Sequence, residues 1–311
     1  RSSGTSQKPR DTTALIAEDE MKRLAPPAFS ATQAIEACAS GITDPERAAM
    51  LRQALPVIEA AEREYQALGV AGELYRVVPT DDVTPNLGTE LMSVIYKSHF
   101  VRAATSRRLY EQIRMAPEFG ICPLCGQRFV ATVDHYLPQS RHPKLALIPI
   151  NLVPACSDCN KSKLARAPRT AQEQSLHPYF DDLGIERWLV AEIQPTTPPT
   201  ISFRVRPATT WSAVLAARVA HHFSMMGLAE LYAAQTASEM ADISYSLIDV
   251  GDTSGADGVR AHLARELRSR SHRDNNSWQT ALYEALAGSD WFCAEGYRQI
   301  RVVPPRQAGA I

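Results

Sequence analysis

Between about Ala14 and Met115, apolar residues recur every three or four positions. Ala60, Ala61, Tyr65 and Leu68 make one stripe, and Leu91, Val94, Ile95 and Phe100 another. One face of a helix repeats in this way, so the pattern predicts helices, cut short by Pro26-Pro27, Pro79 and Pro85. From 116 to 180 the helical period stops. Short apolar runs such as Phe129-Val130-Ala131-Thr132-Val133 alternate with proline-rich turns, the pattern of strands and loops. After Asp182, the runs Trp188–Ile193 and Ile201–Val205 predict two strands split by Pro195 and Pro198-Pro199. Helical stripes then return in Trp211, Val214, Leu215, Val219 and Phe223, and in Trp278, Leu282, Ala285 and Leu286. No internal repeat suggests a solenoid. The expected fold class is α+β in three parts: a mostly helical region over 13–115, a small central unit over 116–182, and an α+β region over 183–311. Residues 1–12 carry no apolar anchor and read as a tail or an expression scar.

The length of 311 residues supports two or three such units. No stretch reaches the roughly 18 apolar residues of a membrane span, and no charged-then-apolar start resembles a signal peptide. The expected location is cytoplasmic, with no membrane partner. Lys plus Arg number 33 against 34 Asp plus Glu, which excludes a uniformly basic coat. The charge is unevenly distributed, however. Residues 1–115 net −1 and 171–311 net −4, whereas 122–170 net +5 through Arg128, Arg141, Lys144, Lys161, Lys163, Arg166 and Arg169. A basic patch on the central unit suits phosphate backbones, and Lys161, Lys163, Arg166, Arg169, Arg141 and Lys144 are its candidate contacts.

Six cysteines are too few for a disulfide-built domain. Four fall in two pairs, Cys122-Pro-Leu-Cys125 and Cys156-Ser-Asp-Cys159. Two C-x-x-C pairs bring four thiolates to one tetrahedral centre, which predicts zinc (Zn2+). Such a closed site leaves no open position, so the metal is structural and any chemistry lies elsewhere. Cys38 and Cys293 read as buried small hydrophobes.

That chemistry is sought at Asp134-His135, where the first apolar run ends. Hydrolysing a phosphodiester needs an activated water and positive charge on the developing oxyanion. An imidazole suits the base, and a hard carboxylate suits a divalent cation. Neighbouring strand residues point to opposite faces, so the two share a cleft only if the strand ends or bends there; Pro138 supplies the break. Asn160 lies four residues after Cys156 on a predicted helix beginning near Ser157, where its amide oxygen is a second candidate ligand. Lys163 is one turn further on the same face, placed to meet a phosphate. His177 is a further candidate contact for metal or phosphate, while His142 reads as a solvated loop residue. His221-His222 diverge on a helix and are not expected to share a metal.

The ordered blocks Asp134-His135-Tyr136-Leu137-Pro138, Asn151-Leu152-Val153 and Cys159-Asn160-Lys161-Ser162-Lys163, framed by the two cysteine pairs, resemble the HNH (ββα-metal) endonucleases, in the subgroup pinned by a four-cysteine zinc. The resemblance covers about 119–180. It implies a central ββα domain on a zinc knuckle and a metal-dependent endonuclease. His135 would be the base, Asp134 and Asn160 would hold Mg2+ or Mn2+, and Asn151 would brace the loop that orients the base. It also implies nucleic acid as partner, DNA ahead of RNA. Its flanks resemble bacterial HNH proteins of which phage defence is one setting, with a protein partner or regulator. The competing reading is a zinc-ribbon module that binds nucleic acid or protein without cutting. That reading needs the cysteines and the basic face but neither Asp134 nor His135.

Overall fold

The computed structural model describes residues 23–300; the expectation for residues 1–12 lies outside them. Helices α1 (Ala31–Ser40), α2 (Pro45–Gln53), α3 (Leu55–Val70), α4 (Thr89–Ile95) and α5 (Ala104–Arg114) form the N-terminal region. Their starts are written locally. Ser30 and Gln33 close a reciprocal capping box on α1, and Asp44 caps α2 ahead of Pro45. A two-stranded hairpin, β1 (Asp82–Thr84) and β2 (Leu87–Gly88), interrupts the helices, and no alternation in the sequence announces it.

The central segment contains β3 (Thr132–His135), β4 (Leu152–Ala155) and α6 (Ser157–Lys163), a ββα unit. The strands pair antiparallel, with Thr132 opposite Ala155, Asp134 opposite Val153 and His135 opposite Leu152. The predicted strand run began at Phe129, but β3 starts three residues later. Phe129 instead forms an isolated bridge to Ile121 and is 75 % exposed. The C-terminal region has β5 (Leu189–Gln194) and β6 (Thr200–Val205) as predicted, then α7 (Ala213–Met225), α8 (Leu228–Arg273), α9 (Trp278–Gly288) and α10 (Asp290–Ala294). The α8 segment breaks at Gly255, whose φ of 63° and ψ of −160° only glycine adopts readily.

Two hydrophobic cores result, and the central segment belongs to both. Val133, Tyr136, Leu137, Leu145–Ile148, Leu152, Val153 and Tyr179 bury against α1–α5. The four paired cysteines, Leu124 and Ala155 bury instead with β5, β6 and α7–α10. The hairpin end of the ββα unit thus rests on one core and its cysteine end on the other. No helix among the described residues is long and apolar enough to cross a membrane.

Candidate functional site

Ile121↔Phe129 pairing and Gly126, at φ 63°, fold Cys122–Cys125 into a tight turn. Cys156 caps α6, so the second pair occupies that helix's first turn. The four sulfurs lie within 4.8 Å of one another and are buried. A tetrahedral metal–sulfur distance near 2.3 Å would place them about 3.8 Å apart, so the donor set fits one soft ion. Backbone N–H groups of Cys156, Cys159 and Arg128 point to the Sγ atoms of Cys122, Cys156 and Cys125. Hydrogen bonds with Cys122 and Cys159 hold the Cys125 thiol well below its ordinary pKa, and the hydrogen bond to Cys125 raises that of Cys122. A divalent cation would replace the shared protons with ligand bonds.

The C-terminal region clamps this turn from outside. His222 Nε2 donates to the Leu124 carbonyl at 2.7 Å, Tyr232 Oη to the Cys125 carbonyl at 3.0 Å, and Trp278 Nε1 to Gln127 Oε1 at 2.7 Å. His221 and His222 diverge: His221 lines a surface groove while His222 is buried against the turn.

At the other end of the unit, β3 ends at His135. Asp134 turns toward α6 and His135 toward the first core. The imidazole packs on the Tyr96 ring, centroids 4.4 Å apart, and Tyr96 Oη donates to the Val133 carbonyl at 3.1 Å. His135 Nε2 lies 2.9 Å from the Ala146 carbonyl oxygen. A carbonyl only accepts, so the proton sits on Nε2 and Nδ1 keeps the basic lone pair. Burial pushes the ring's pKa down to about 4, so it is neutral at pH 7. Asn151, fully buried, accepts from Leu137 N at 2.8 Å and donates from Nδ2 to the carbonyls of Leu137 and Leu145. It therefore ties down the loop whose next carbonyl, Ala146, holds the imidazole.

Asp134 Oδ1 accepts from His135 N at 2.7 Å, and Oδ2 takes the Lys163 ammonium at 2.9 Å. Lys163 also donates to the His135 carbonyl and is buried. The expectation that Lys163 reaches out to a phosphate is thus replaced by an internal ion pair. Asn160 sits one turn earlier on that helix face, half-buried, with no side-chain hydrogen bond among the described residues. Removing the ammonium should leave a carboxylate and a carbonyl without their shared donor. Lys163→Met is expected to cost about 2–4 kcal/mol in urea unfolding, with a smaller additional loss when combined with Asp134→Asn than the two single losses summed. Strict additivity would contradict the pairing.

Two histidines depart from their sequence readings. His177, a candidate metal or phosphate contact, is a buried clamp. Its Nδ1 accepts from Tyr179 N, its Nε2 meets Tyr65 Oη at 3.1 Å, and Tyr136, Tyr179 and Phe180 rings surround it. Both nitrogens are occupied, so none is left for a ligand. His142, read as solvated, is 3 % exposed and lines a cavity of about 120 Å³ with Glu64, Thr80 and Lys144. Packing of the His142–Leu145 turn against α3 and Val77-Val78 buries it, an event no local pattern announces.

Of the six basic candidates, Arg141, Arg166 and Arg169 line one open groove of about 560 Å³ together with Tyr136, Lys163 and Ser175. Lys163 connects that groove to Asp134. Lys161 is exposed on α6, and Lys144 faces the smaller cavity. Sequence reasoning missed Tyr96 and Tyr136. Tyr136 stands beside His135 in the same block, a signal that was available, whereas Tyr96 comes from a turn 39 positions upstream of His135 with no motif of its own.

Comparison with known proteins agrees with this geometry. The family described as HNH endonuclease matches residues 122–166. Protein ea31 of Escherichia phage lambda is 25% identical over 294 residues, 88% of this chain and 99% of that protein. No solved structure matches. The central segment of this chain is an HNH endonuclease domain, with Cys122, Cys125, Cys156 and Cys159 positioned to bind a metal.

Proposed function

We propose that this protein is a metal-dependent endonuclease that hydrolyses phosphodiester bonds of DNA. The observation that carries the reading is the hydrogen bond from His135 Nε2 to Ala146, on a loop braced by Asn151. It fixes the one tautomer in which Nδ1 is a base, and burial keeps that base unprotonated at neutral pH. Asp134, the preceding strand residue, offers hard oxygens on the side facing α6. Asn160, on the face of α6 that Lys163 turns toward β3, offers an amide with no side-chain hydrogen bond among the described residues. These two residues would hold Mg2+ or Mn2+, which when bound supplies charge for the oxyanion and the leaving group. His135 takes the proton of the attacking water at Nδ1, while Asn151 holds the imidazole still through the loop. The four cysteines would hold Zn2+ as a staple and take no part in the chemistry. Arg141, Arg166 and Arg169 draw the phosphate backbone into the groove next to Lys163.

The setting we infer is phage–host conflict, supported by the resemblance of the flanks and by a relative encoded in a phage. The decisive experiment is cleavage of labelled DNA and RNA with magnesium or manganese titrated. His135→Gln retains a donor for Ala146 but no base, so it should lower the DNA cleavage rate about 10²- to 10⁴-fold. Equal cleavage by both proteins, or none by wild type with any divalent metal, refutes the reading. Phage plating on hosts expressing wild type or His135→Gln tests the setting: equal plating argues against defence.

A further inference from the structure

Phe119 and Phe129 flank the first cysteine pair at the zinc-turn end of the ββα unit, away from His135. Both are largely solvent-exposed, Phe119 at 69 % and Phe129 at 75 %. Gly120 O accepts from Val130 N at 2.8 Å, so the turn that carries Phe119 runs directly into the isolated bridge that Phe129 makes with Ile121. Phe119 also occupies left-handed backbone, φ 54° and ψ 15°. Bulky residues avoid that region, and glycine or asparagine would hold the turn at lower cost. Neither burial nor backbone preference therefore explains a phenylalanine here. The Arg273 guanidinium lies over its ring, 5.3 Å from the centroid.

Arg273 ends the outer face of α8. On that face Arg265, Arg268 and His272, spaced by three and four residues, are exposed, and the two arginines form no ion pair among the described residues. Arg260 and Arg270, by contrast, are engaged by Asp290 and by Glu239 and Glu266. The run from Arg265 to Arg273 is about 12 Å long and leads up to the Phe119 ring. It is a local basic stripe in a region that is acidic overall.

We propose that this patch is a second nucleic-acid contact, for an unpaired stretch of strand adjoining the duplex in the groove. Bases stack on Phe119 and Phe129, and Arg265, Arg268 and Arg273 hold the phosphates that follow. Exposed aromatic faces beside arginines, of which Arg265 and Arg268 form no ion pair among the described residues, suit a single strand better than a duplex, whose bases are already stacked. The inference rests on the nuclease reading. It adds a preference that the catalytic groups do not determine: junctions between duplex and single strand over blunt duplex.

The test is fluorescence anisotropy on the full chain with zinc retained and no magnesium or manganese added, so that binding is read without cleavage. Wild type should bind a duplex carrying a single-stranded tail about tenfold more tightly than the blunt duplex. Phe119→Gly combined with Phe129→Ser should abolish that difference without lowering the melting temperature, because glycine relieves the left-handed turn. Arg265→Glu with Arg268→Glu should weaken binding of the tailed substrate and reduce its log–log salt slope by about one. Equal affinity of wild type for tailed and blunt duplex, or tail preference surviving both double variants, overturns this proposal and leaves the nuclease reading intact. In the second case the patch would belong to a protein contact. Failure of wild type to bind any of these DNAs would remove both.

Discussion

Cys125→Ser, or stripping the metal with a strong chelator, is expected to unfold the C-terminal half of the molecule as well as the small ββα unit. The four cysteines are part of the second hydrophobic core, which also holds side chains of β5, β6 and α7–α10. The turn they form also anchors that core: Leu124 and Cys125 accept hydrogen bonds from His222 and Tyr232, and Gln127 from Trp278. Loss of the metal leaves mutually repelling thiolates or orphaned thiols at 0–2 % exposure in this position. Structural zinc sites carry on the order of 10 kcal/mol of binding free energy, which is folding free energy where no site exists in the unfolded chain. Losing half of that should lower the melting temperature by about 10 °C or more. The readout is the near-UV circular dichroism and fluorescence of the four tryptophans, all in the C-terminal region, followed with and without chelator. An unchanged tryptophan signal and melting temperature would show that the cysteines are not a staple. By the same logic, an isolated fragment 116–182 should not fold, since its buried apolar residues are divided between two cores supplied by its flanks.

This division explains what could be read in advance and what could not. Metal chemistry is written locally: two C-x-x-C pairs and a helix starting at Ser157 fix Cys122, Cys125, Cys156 and Cys159 with no knowledge of the remainder. The paired strands β5 and β6 were likewise legible, because two short apolar runs split by prolines are a short-range signal. Burial of single polar residues depends on partners far away in the chain. Tyr65 occupies His177 Nε2 from 112 positions away, and Asp134 engages Lys163 across 29. No spacing rule distinguishes a lysine that meets phosphate from one that neutralises a carboxylate in its own domain. The brace of Asn151 on Leu137 and Leu145 came from the family resemblance rather than from residue chemistry, since a buried asparagine reads the same as an exposed one in sequence.

Acid should unfold the first core in the histidine range, well above the pH at which carboxylates alone would do so. His135, His142 and His177 are all buried, and burial lowers their pKa values to about 4, 4 and 3. In the unfolded chain each titrates near 6.5. The folded value is the lower one, so the unfolded state takes up the proton first. The stability linked to these groups is therefore fully present above about pH 6.5 and is lost as pH falls toward 4. At about 1.4 kcal/mol per unit, three such histidines could remove on the order of 10 kcal/mol by pH 4, comparable with the whole stability of an ordinary domain. The half-buried Glu62, raised by burial, works in the opposite direction and offsets only part of this. Urea unfolding followed from pH 8 to 4 should show a plateau above pH 7, then a steep decline beginning near pH 6.5. His177→Gln is expected to lower stability at pH 8, where the neutral imidazole bridges Tyr65 and Tyr179, and to make the decline shallower, because one fewer group takes up a proton on unfolding. A stability flat from pH 7 to pH 4.5, or a decline of unchanged steepness in that variant, would mean that these rings are not the neutral, sequestered groups that hold the central segment against the helices.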